Sequence, residues 1–213
     1  MNKNLLGIDF EDWYHPQFVQ PFVKNLKHEP KMFHGLEKII ELLKKNNTTA
    51  TFFVVGKLLE QNPEILDLIL DNEHEIAFHT MNHSNLNDLT KEKFLDELNL
   101  FEKITEGKSR GFRAPTFSNN SDTSWAIDAL QEKNYRYDSS IVPVKTDLYG
   151  FSNCQRSPFK ISSSSLTKDD STGKLIEFPL LVTRFLGKKL PAAGGFYLRT
   201  LPEKVIKNAI RSY

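Results

Sequence analysis

The chain has 213 residues, with 28 Lys and Arg against 27 Asp and Glu, which gives a formal net charge of +1. This balance supplies no basic field of the kind that nucleic-acid-binding proteins use. No apolar run approaches the roughly 20 residues that a membrane span requires. We therefore expect a globular protein without nucleic-acid partner or membrane span, built as a single domain over residues 1–213.

The cellular compartment is predicted from the N-terminal segment and the cysteine content. Acidic residues follow the short apolar stretch at the N-terminus directly, and no small-residue cleavage site is present, so the segment does not resemble a secretory signal. Cys154 is the single cysteine, which excludes an internal disulfide. Both features favour a cytoplasmic protein.

Short apolar runs alternate with amphipathic helical patterns along most of the chain. Strands are predicted at Leu5–Ile8, Ala50–Val55, Glu75–Phe78, Gly111–Arg113, Tyr135–Ser139 and Leu175–Phe178. Helices are predicted at Leu36–Leu43, Glu64–Leu70, from Thr90 to about Gly107, at Ser124–Gln131 and at Glu203–Tyr213. Residues 141–174 are predicted to be a surface excursion, and Lys188 and Lys189 an exposed turn. The βα order predicts a parallel sheet or barrel covered by helices.

Polar residues follow several of the predicted strands directly. In α/β barrels and open α/β sheets, functional sites lie at the carboxyl ends of the strands, so we expect these side chains to converge. The residues concerned are Asp9, Glu11, Asp12, His79, His83, Arg113 and Asp138.

His79 and His83 are the first candidates for a metal site. A spacing of four places both imidazoles on the same side of a helical turn, and zinc sites often combine two His with a carboxylate. The acids Asp9, Glu11 and Asp12 could instead cap a helix or turn, and the His could be structural. However, three acids on a short segment repel one another unless a cation lies among them. The two clusters together therefore favour a metal site.

Five segments occur in an order that resembles the polysaccharide deacetylase family, the NodB-homology group that forms carbohydrate esterase family 4. They are Ile8–Trp13, Ala50–Gly56, His74–His83, Phe112–Pro115 and Tyr137–Ser140. The resemblance extends over roughly residues 5 to 200 and is strongest to the branch whose first motif reads D-x-E-D-W. Glu177–Pro179 and Gly194–Arg199 also fit this branch.

The resemblance implies a distorted (β/α) barrel that binds a divalent metal, usually zinc. It implies that Asp9 is the base that takes a proton from the attacking water, and that His79 and His83 are metal ligands. It further implies that Arg113 pairs with this base and that Asp138 orients Arg113. The reaction would remove an N-acetyl group, as acetate, from an amino sugar of a polysaccharide or glycan precursor.

Two departures from the family pattern leave alternatives open. Glu11 and Asp12 compete as the carboxylate ligand, because an extended chain would present Glu11 and a turn after Phe10 would present Asp12. The family's last motif carries a His that protonates the leaving amine, and this sequence has no His after His83. We therefore expect a C-terminally incomplete barrel that lacks its last strand.

The remaining candidates concern the substrate. Trp13 and Tyr14 could stack on a sugar ring, although such a pair is as often packing. Two rival functions stay open: an allantoinase-like amidohydrolase that cleaves a non-sugar C–N bond, and a catalytically impaired carbohydrate-binding module.

Overall fold

The structure is a computed structural model that describes residues 4–17, 19–23, 26–27 and 31–212. The α-helices are α1 (Gln20–Val23), α2 (Met32–Lys45), α3 (Gly56–Gln61), α4 (Glu64–Leu70), α5 (Lys91–Ile104), α6 (Trp125–Glu132), α7 (Gly195–Thr200) and α8 (Glu203–Arg211). The strands are β1 (Gly7–Phe10), β2 (Thr51–Val54), β3 (Glu75–Phe78), β4 (Gly111–Phe112), β5 (Tyr137–Asp138), β6 (Phe159–Ile161), β7 (Leu175–Glu177), β8 (Val182–Phe185) and β9 (Lys188–Pro191).

Seven strands form one sheet in the order β1-β2-β3-β4-β5-β7-β6. The first five and β7 pair in parallel, whereas β6 is antiparallel to β7. Strands β8 and β9 form a separate antiparallel hairpin. The predicted α/β class with a mainly parallel sheet is confirmed, and closure into a barrel stays a prediction.

The register of the parallel strands aligns their carboxyl ends. Phe10, Val54, Phe78, Phe112 and Asp138 lie side by side across the sheet, and Asp138 is paired in turn with the last residue of β7. The next residue of each strand therefore lies on a second line along the same edge. That line contains Glu11, Val55, His79, Arg113, Ser139 and Phe178.

A cluster of aromatic rings fixes β3 and β4 against helix α5. The ring of Phe78 lies 6.3 Å from that of Phe94, 4.5 Å from Phe101 and 5.9 Å from Phe112, measured between centroids. All four side chains are fully buried. Thr90 caps α5 by accepting a hydrogen bond from the backbone N–H of Lys93. The strands that carry the site thus stand on a close-packed core.

Several elements differ from the sequence prediction. Strand β1 begins at Gly7, and Leu5 and Leu6 before it are exposed. The predicted surface excursion contains β6, whose Phe159 and Ile161 are buried against β7.

Lys188 and Lys189 belong to β9 rather than to a turn. The hairpin turn is made by Leu186 and Gly187, which both have positive φ, as a tight two-residue turn requires. The predicted last helix ends at Arg211, and Tyr213 lies outside the described residues. Within the described part of the chain, no helix is long and apolar enough to cross a membrane.

Candidate metal centre and its surroundings

Three predicted ligands converge at the carboxyl edge of the sheet. Glu11, His79 and His83 each offer one ligand atom, and these atoms lie within 4.8 Å of one another. The two imidazole rings are 5.0 Å apart between centroids, and both residues are buried. Glu11 follows β1, and the two His belong to the loop after β3. This arrangement is a candidate site for one cation.

The loop after β3 reaches this geometry without a helical turn, in contrast to the prediction. Thr80 and His83 both adopt positive φ, at 58° and 55°, a region that non-glycine residues seldom occupy. The backbone carbonyls of Thr80 and Met81 accept hydrogen bonds from the start of α3, and Glu97 accepts one from the Met81 N–H. These bonds hold the loop in its unusual conformation, which brings both rings to the same side.

The polar atoms of this cluster fit a divalent ion. The Nδ1 atom of His79 lies 2.7 Å from the carbonyl oxygen of Arg113, so Nδ1 carries the proton and Nε2 is free to act as a ligand. His83 Nε2 lies 2.7 Å from Glu11 Oε2, yet this buried oxygen makes no hydrogen bond to any described residue. Burial lowers the pKa of His79, which favours the neutral imidazole that metals bind.

Asp12 lies outside this cluster, although the sequence left it as an equal alternative to Glu11. Its two carboxylate oxygens accept hydrogen bonds from the backbone N–H groups of Trp13 and Lys31, both at 2.8 Å. Lys31 directly precedes helix α2. Asp12 therefore ties the loop after β1 to the start of α2.

The aromatic residues after Asp12 form a small stack beside the cluster. Trp13 and Tyr14 meet edge to face at 5.7 Å between centroids, and Tyr14 lies 4.5 Å from the His15 ring. The Nδ1 atom of His15 accepts a hydrogen bond from the Asp12 N–H. Burial lowers the pKa of His15 to about 4, so this imidazole is neutral at pH 7.

Arg113 holds Asp9 beside the two imidazoles. Its Nη1 donates to Asp9 Oδ1 at 2.7 Å, and its guanidinium lies over the Phe53 ring at 3.9 Å from the centroid. Burial alone would raise the pKa of Asp9, but the guanidinium of Arg113 and the nearby His79 outweigh it and hold that pKa below its usual range. Asp9 is therefore ionised at pH 7 and available to accept a proton.

Ser139 supplies the contacts to Arg113 that the resemblance assigned to Asp138. Arg113 Nε donates to the Ser139 carbonyl at 2.9 Å, and Nη2 donates to Ser139 Oγ at 2.9 Å. The side chains that donate hydrogen bonds to Asp138 are instead those of Asn119, Ser140 and Glu177, and the backbone N–H of Ser139 also interacts with it. The residue that orients Arg113 is therefore Ser139, which directly follows Asp138 in the sequence.

A polar cleft extends from the candidate centre. A cavity of about 130 Å³ is lined by His83, Asn85 and Thr116 among others. Asn85 and Thr116 also line a second cavity of about 370 Å³, and Tyr149 is among its other lining residues. The shared residues make the two cavities neighbours along one surface.

Sequence reasoning missed two residues that support the site. Gly7 is one, because a Cβ atom there would lie 2.8 Å from both Arg113 Nη2 and Phe53. Ser139 is the other, although it stands inside a segment that fits the family pattern. The doubled serine directly after Asp138 was a usable signal, because hydroxyl groups at a strand end often bind neighbouring polar groups.

The close approach of Gly7 to Arg113 generates a test by Gly7→Ala. Because the guanidinium is pinned by Asp9 and Ser139, it cannot move aside freely. We expect the free energy of unfolding to fall by about 1–3 kcal/mol in urea denaturation. The matched control is Gly35→Ala, the fourth residue of α2, where no atom of the described residues lies within 4 Å of an added Cβ. That variant should gain about 0.5–1 kcal/mol. An unchanged Gly7→Ala protein would contradict the pinned arrangement.

Comparison with known proteins agrees with this fold. The model of a family described as polysaccharide deacetylase matches residues 32–137, and one described as a domain of unknown function matches residues 139–213. A crystal structure from Mycobacterium smegmatis, of a protein described as a polysaccharide deacetylase, superposes with a TM-score of 0.62. That alignment covers 98% of this chain and 69% of the other at 21% identity, so it shows a shared fold.

Curated relatives of known name also match part of this chain. A peptidoglycan-N-acetylglucosamine deacetylase of Bacillus cereus is 28% identical over 106 residues, which are 48% of this chain and 42% of the relative. A peptidoglycan-N-acetylmuramic acid deacetylase of Bacillus subtilis is 26% identical over 129 residues, 49% of each chain. Chitin deacetylase 1 of Cryptococcus neoformans is 33% identical over 103 residues, 48% of this chain and 18% of that protein.

The chain therefore spans less than half the length of each of these three relatives. The segment that the family model matches includes His79, His83 and Arg113. Asp9 lies in β1 and Glu11 directly follows that strand, so both precede the matched segment. With its matched segment, its shared fold and its named relatives, this chain belongs to the polysaccharide deacetylase family.

Proposed function

We propose that this chain is a metal-dependent hydrolase that removes N-acetyl groups from an amino sugar of a polysaccharide. The observation that carries the proposal is the cluster of Glu11, His79 and His83 beside an ionised Asp9. The named relatives act on peptidoglycan and chitin, both N-acetylated glycans, and this supports the substrate class. Neither the amidohydrolase nor the binding-module alternative is favoured by these comparisons.

Glu11, His79 and His83 would hold the metal, and we propose zinc because a carboxylate with two imidazoles is a common zinc set. A divalent ion bound there supplies a Lewis acid and makes water a better nucleophile at neutral pH. His79 is oriented for this role by the Arg113 carbonyl on its other nitrogen.

Asp9 would act as the base. Its carboxylate interacts electrostatically with both imidazoles and is fixed by Arg113. As the water oxygen bonds to the acyl carbon, Asp9 accepts the water proton. As the C–N bond breaks and acetate leaves, the proton held by Asp9 passes to the amine nitrogen, which restores the Asp9 carboxylate. Arg113 keeps Asp9 ionised before the reaction and correctly placed during it.

The two neighbouring cavities would hold the sugar that carries the reacting group and the sugar units next to it. The larger has a volume in the range typical of ligand pockets. Its polar lining suits hydroxyl and amide groups. The rings of Phe117 and Tyr149, edge to face at 5.1 Å, offer an apolar surface to a sugar face.

The role of Asp9 is tested by Asp9→Asn. This variant keeps the size of the side chain but removes its basicity, so acetate release from N-acetylated chito-oligosaccharide should fall by about 100- to 10,000-fold. Metal content, measured by mass spectrometry after zinc loading, should not change. Asp67→Asn, on helix α4, is the control and should keep full activity. Substantial activity in Asp9→Asn would exclude Asp9 as the base.

The choice between Glu11 and Asp12 is tested by a matched pair of variants. Glu11→Gln should lose most of the bound zinc, because it removes the carboxylate of the cluster. Asp12→Asn should keep the zinc and lose about 1 kcal/mol of stability, because it weakens a carboxylate that accepts two backbone N–H groups. Equilibrium dialysis and urea denaturation measure the two effects. The reverse pattern would assign the ligand to Asp12.

The cleft is tested by Tyr149→Ala. Loss of the ring should raise KM for a chito-oligosaccharide by about 3- to 10-fold, the equivalent of one aromatic contact. It should leave KM for N-acetylglucosamine unchanged, because Tyr149 lines the larger cavity, whose lining includes none of the proposed metal ligands. Asp147→Asn, two residues away and outside the cavity lining, serves as the control. Equal effects on both substrates would place the oligosaccharide elsewhere.

A further inference from the structure

A pair of buried carboxyl groups lies directly behind the Arg113 contact. Asp138 and Glu177 are paired across the parallel strands β5 and β7, and both are 0% exposed. Their side chains are hydrogen-bonded to each other. Glu177 Oε1 accepts the Ile141 N–H at 3.0 Å, whereas Oε2 has no donor from any described residue. Neither carboxyl belongs to the candidate metal cluster.

This pair holds together only if it contains a proton. Two ionised carboxylates in contact, shielded from water, would repel strongly, and a single shared proton removes the repulsion. Because Oε1 of Glu177 accepts the Ile141 N–H and Oε2 accepts from no described residue, we assign to Oε2 the proton that bonds to Asp138. Burial, and then the charge of Asp138, raise the pKa of Glu177 well above its usual value, in agreement with this placement.

The remaining contacts of Asp138 show which partner is ionised. Ser140 Oγ and Asn119 Nδ2 both donate to it. With the Glu177 proton, Asp138 accepts hydrogen bonds from three side chains and from the backbone N–H of Ser139, as a buried carboxylate requires. Glu177 is then the neutral acid, which accepts from Ile141 and donates to Asp138.

The pair is connected to the active site through the two serines that follow Asp138. Ser139 binds Arg113 through both its carbonyl and its hydroxyl, and that hydroxyl donates to the Phe178 carbonyl next to Glu177. Ser140 Oγ accepts the N–H of Ala114, the residue after Arg113. The strand ends that carry Arg113, Ser139 and Glu177 are thus linked by one set of hydrogen bonds.

We propose that Glu177 is a positioning residue of the active site: as a neutral acid it binds Asp138 and thereby fixes the serines that hold Arg113 on Asp9. The inference rests on the proposed function for its kinetic consequence, but its structural part does not. It also gives a role to the segment of residues 139–213, which matches a domain of unknown function. That segment would hold the catalytic arginine in place.

The charged and titratable groups near Glu177 set the direction of its pH response. Arg113 and Asp138 interact with it electrostatically, and Cys154 also faces it. Arg113 favours the ionised form, but its donors are already bound to Asp9 and Ser139. The pKa of Glu177 is higher in the folded protein than in the unfolded chain. The stabilisation that Glu177 contributes is therefore complete below its pKa in the unfolded chain, and it is lost as pH rises through its pKa in the folded protein.

Three proteins test the proposal: wild type, Glu177→Gln and Glu177→Leu, with the exposed Glu132→Gln as control. Glutamine supplies a permanent N–H donor to Asp138 and an oxygen for Ile141, so kcat should match wild type at pH 7. The Tm of Glu177→Gln relative to wild type should increase as pH is raised from about 5 to 9. Leucine fills the space without either bond, so kcat should fall by about 10- to 100-fold with KM and zinc content unchanged.

Two measurements do not depend on activity and separate this proposal from the proposed function. The infrared band of a protonated carboxyl group should be present in wild type and absent in Glu177→Gln. The NMR signal of the Arg113 Nε–H should be retained in Glu177→Gln and displaced in Glu177→Leu. If Glu177→Gln behaves like Glu177→Leu, or if Glu177→Leu leaves the Arg113 signal in place, Glu177 is not a positioning residue.

Discussion

The candidate site depends on the fixed position of the Arg113 side chain and backbone. Its guanidinium is bonded to Asp9 and to Ser139 and lies over Phe53, so all parts of the cation are engaged. Its carbonyl oxygen meets His79 Nδ1 and selects the tautomer of that imidazole. A single residue therefore orients both the proposed base and a proposed ligand. Displacement of Arg113 would disturb the two functions together.

The register of the sheet brings these groups to one edge. Each parallel strand ends at the same level, so the residues that follow form a line on which Glu11, His79 and Arg113 stand. The chain then departs from regular structure where the chemistry requires it. Thr80 and His83 adopt left-handed conformations, and the loop is held by backbone hydrogen bonds rather than by a helix. The site combines a rigid sheet edge with a locally strained loop.

The sequence allowed prediction of strands β1 to β5 and β7 and of the polar residues at their ends, because these follow from local hydrophobic pattern and ordered motifs. It could not separate Glu11 from Asp12, because the use of Asp12 depends on the N–H of Lys31, which is remote in sequence. The contacts of Asp138 were equally out of reach, since Glu177 meets it only through pairing of β5 with β7. Strand β6 and the β8–β9 hairpin were missed because they are short and partly polar.

We propose that Glu11, His79 and His83 hold one divalent ion beside Asp9. Anomalous scattering at the zinc edge, from crystals grown with zinc, tests this site because it locates the metal independently of catalysis. We expect a strong anomalous peak bounded by the Glu11 carboxylate and the two imidazoles, with Asp12 still bound to the N–H groups of Trp13 and Lys31. A zinc-loaded crystal with no peak at this position, or with a peak coordinated by Asp12, would contradict it.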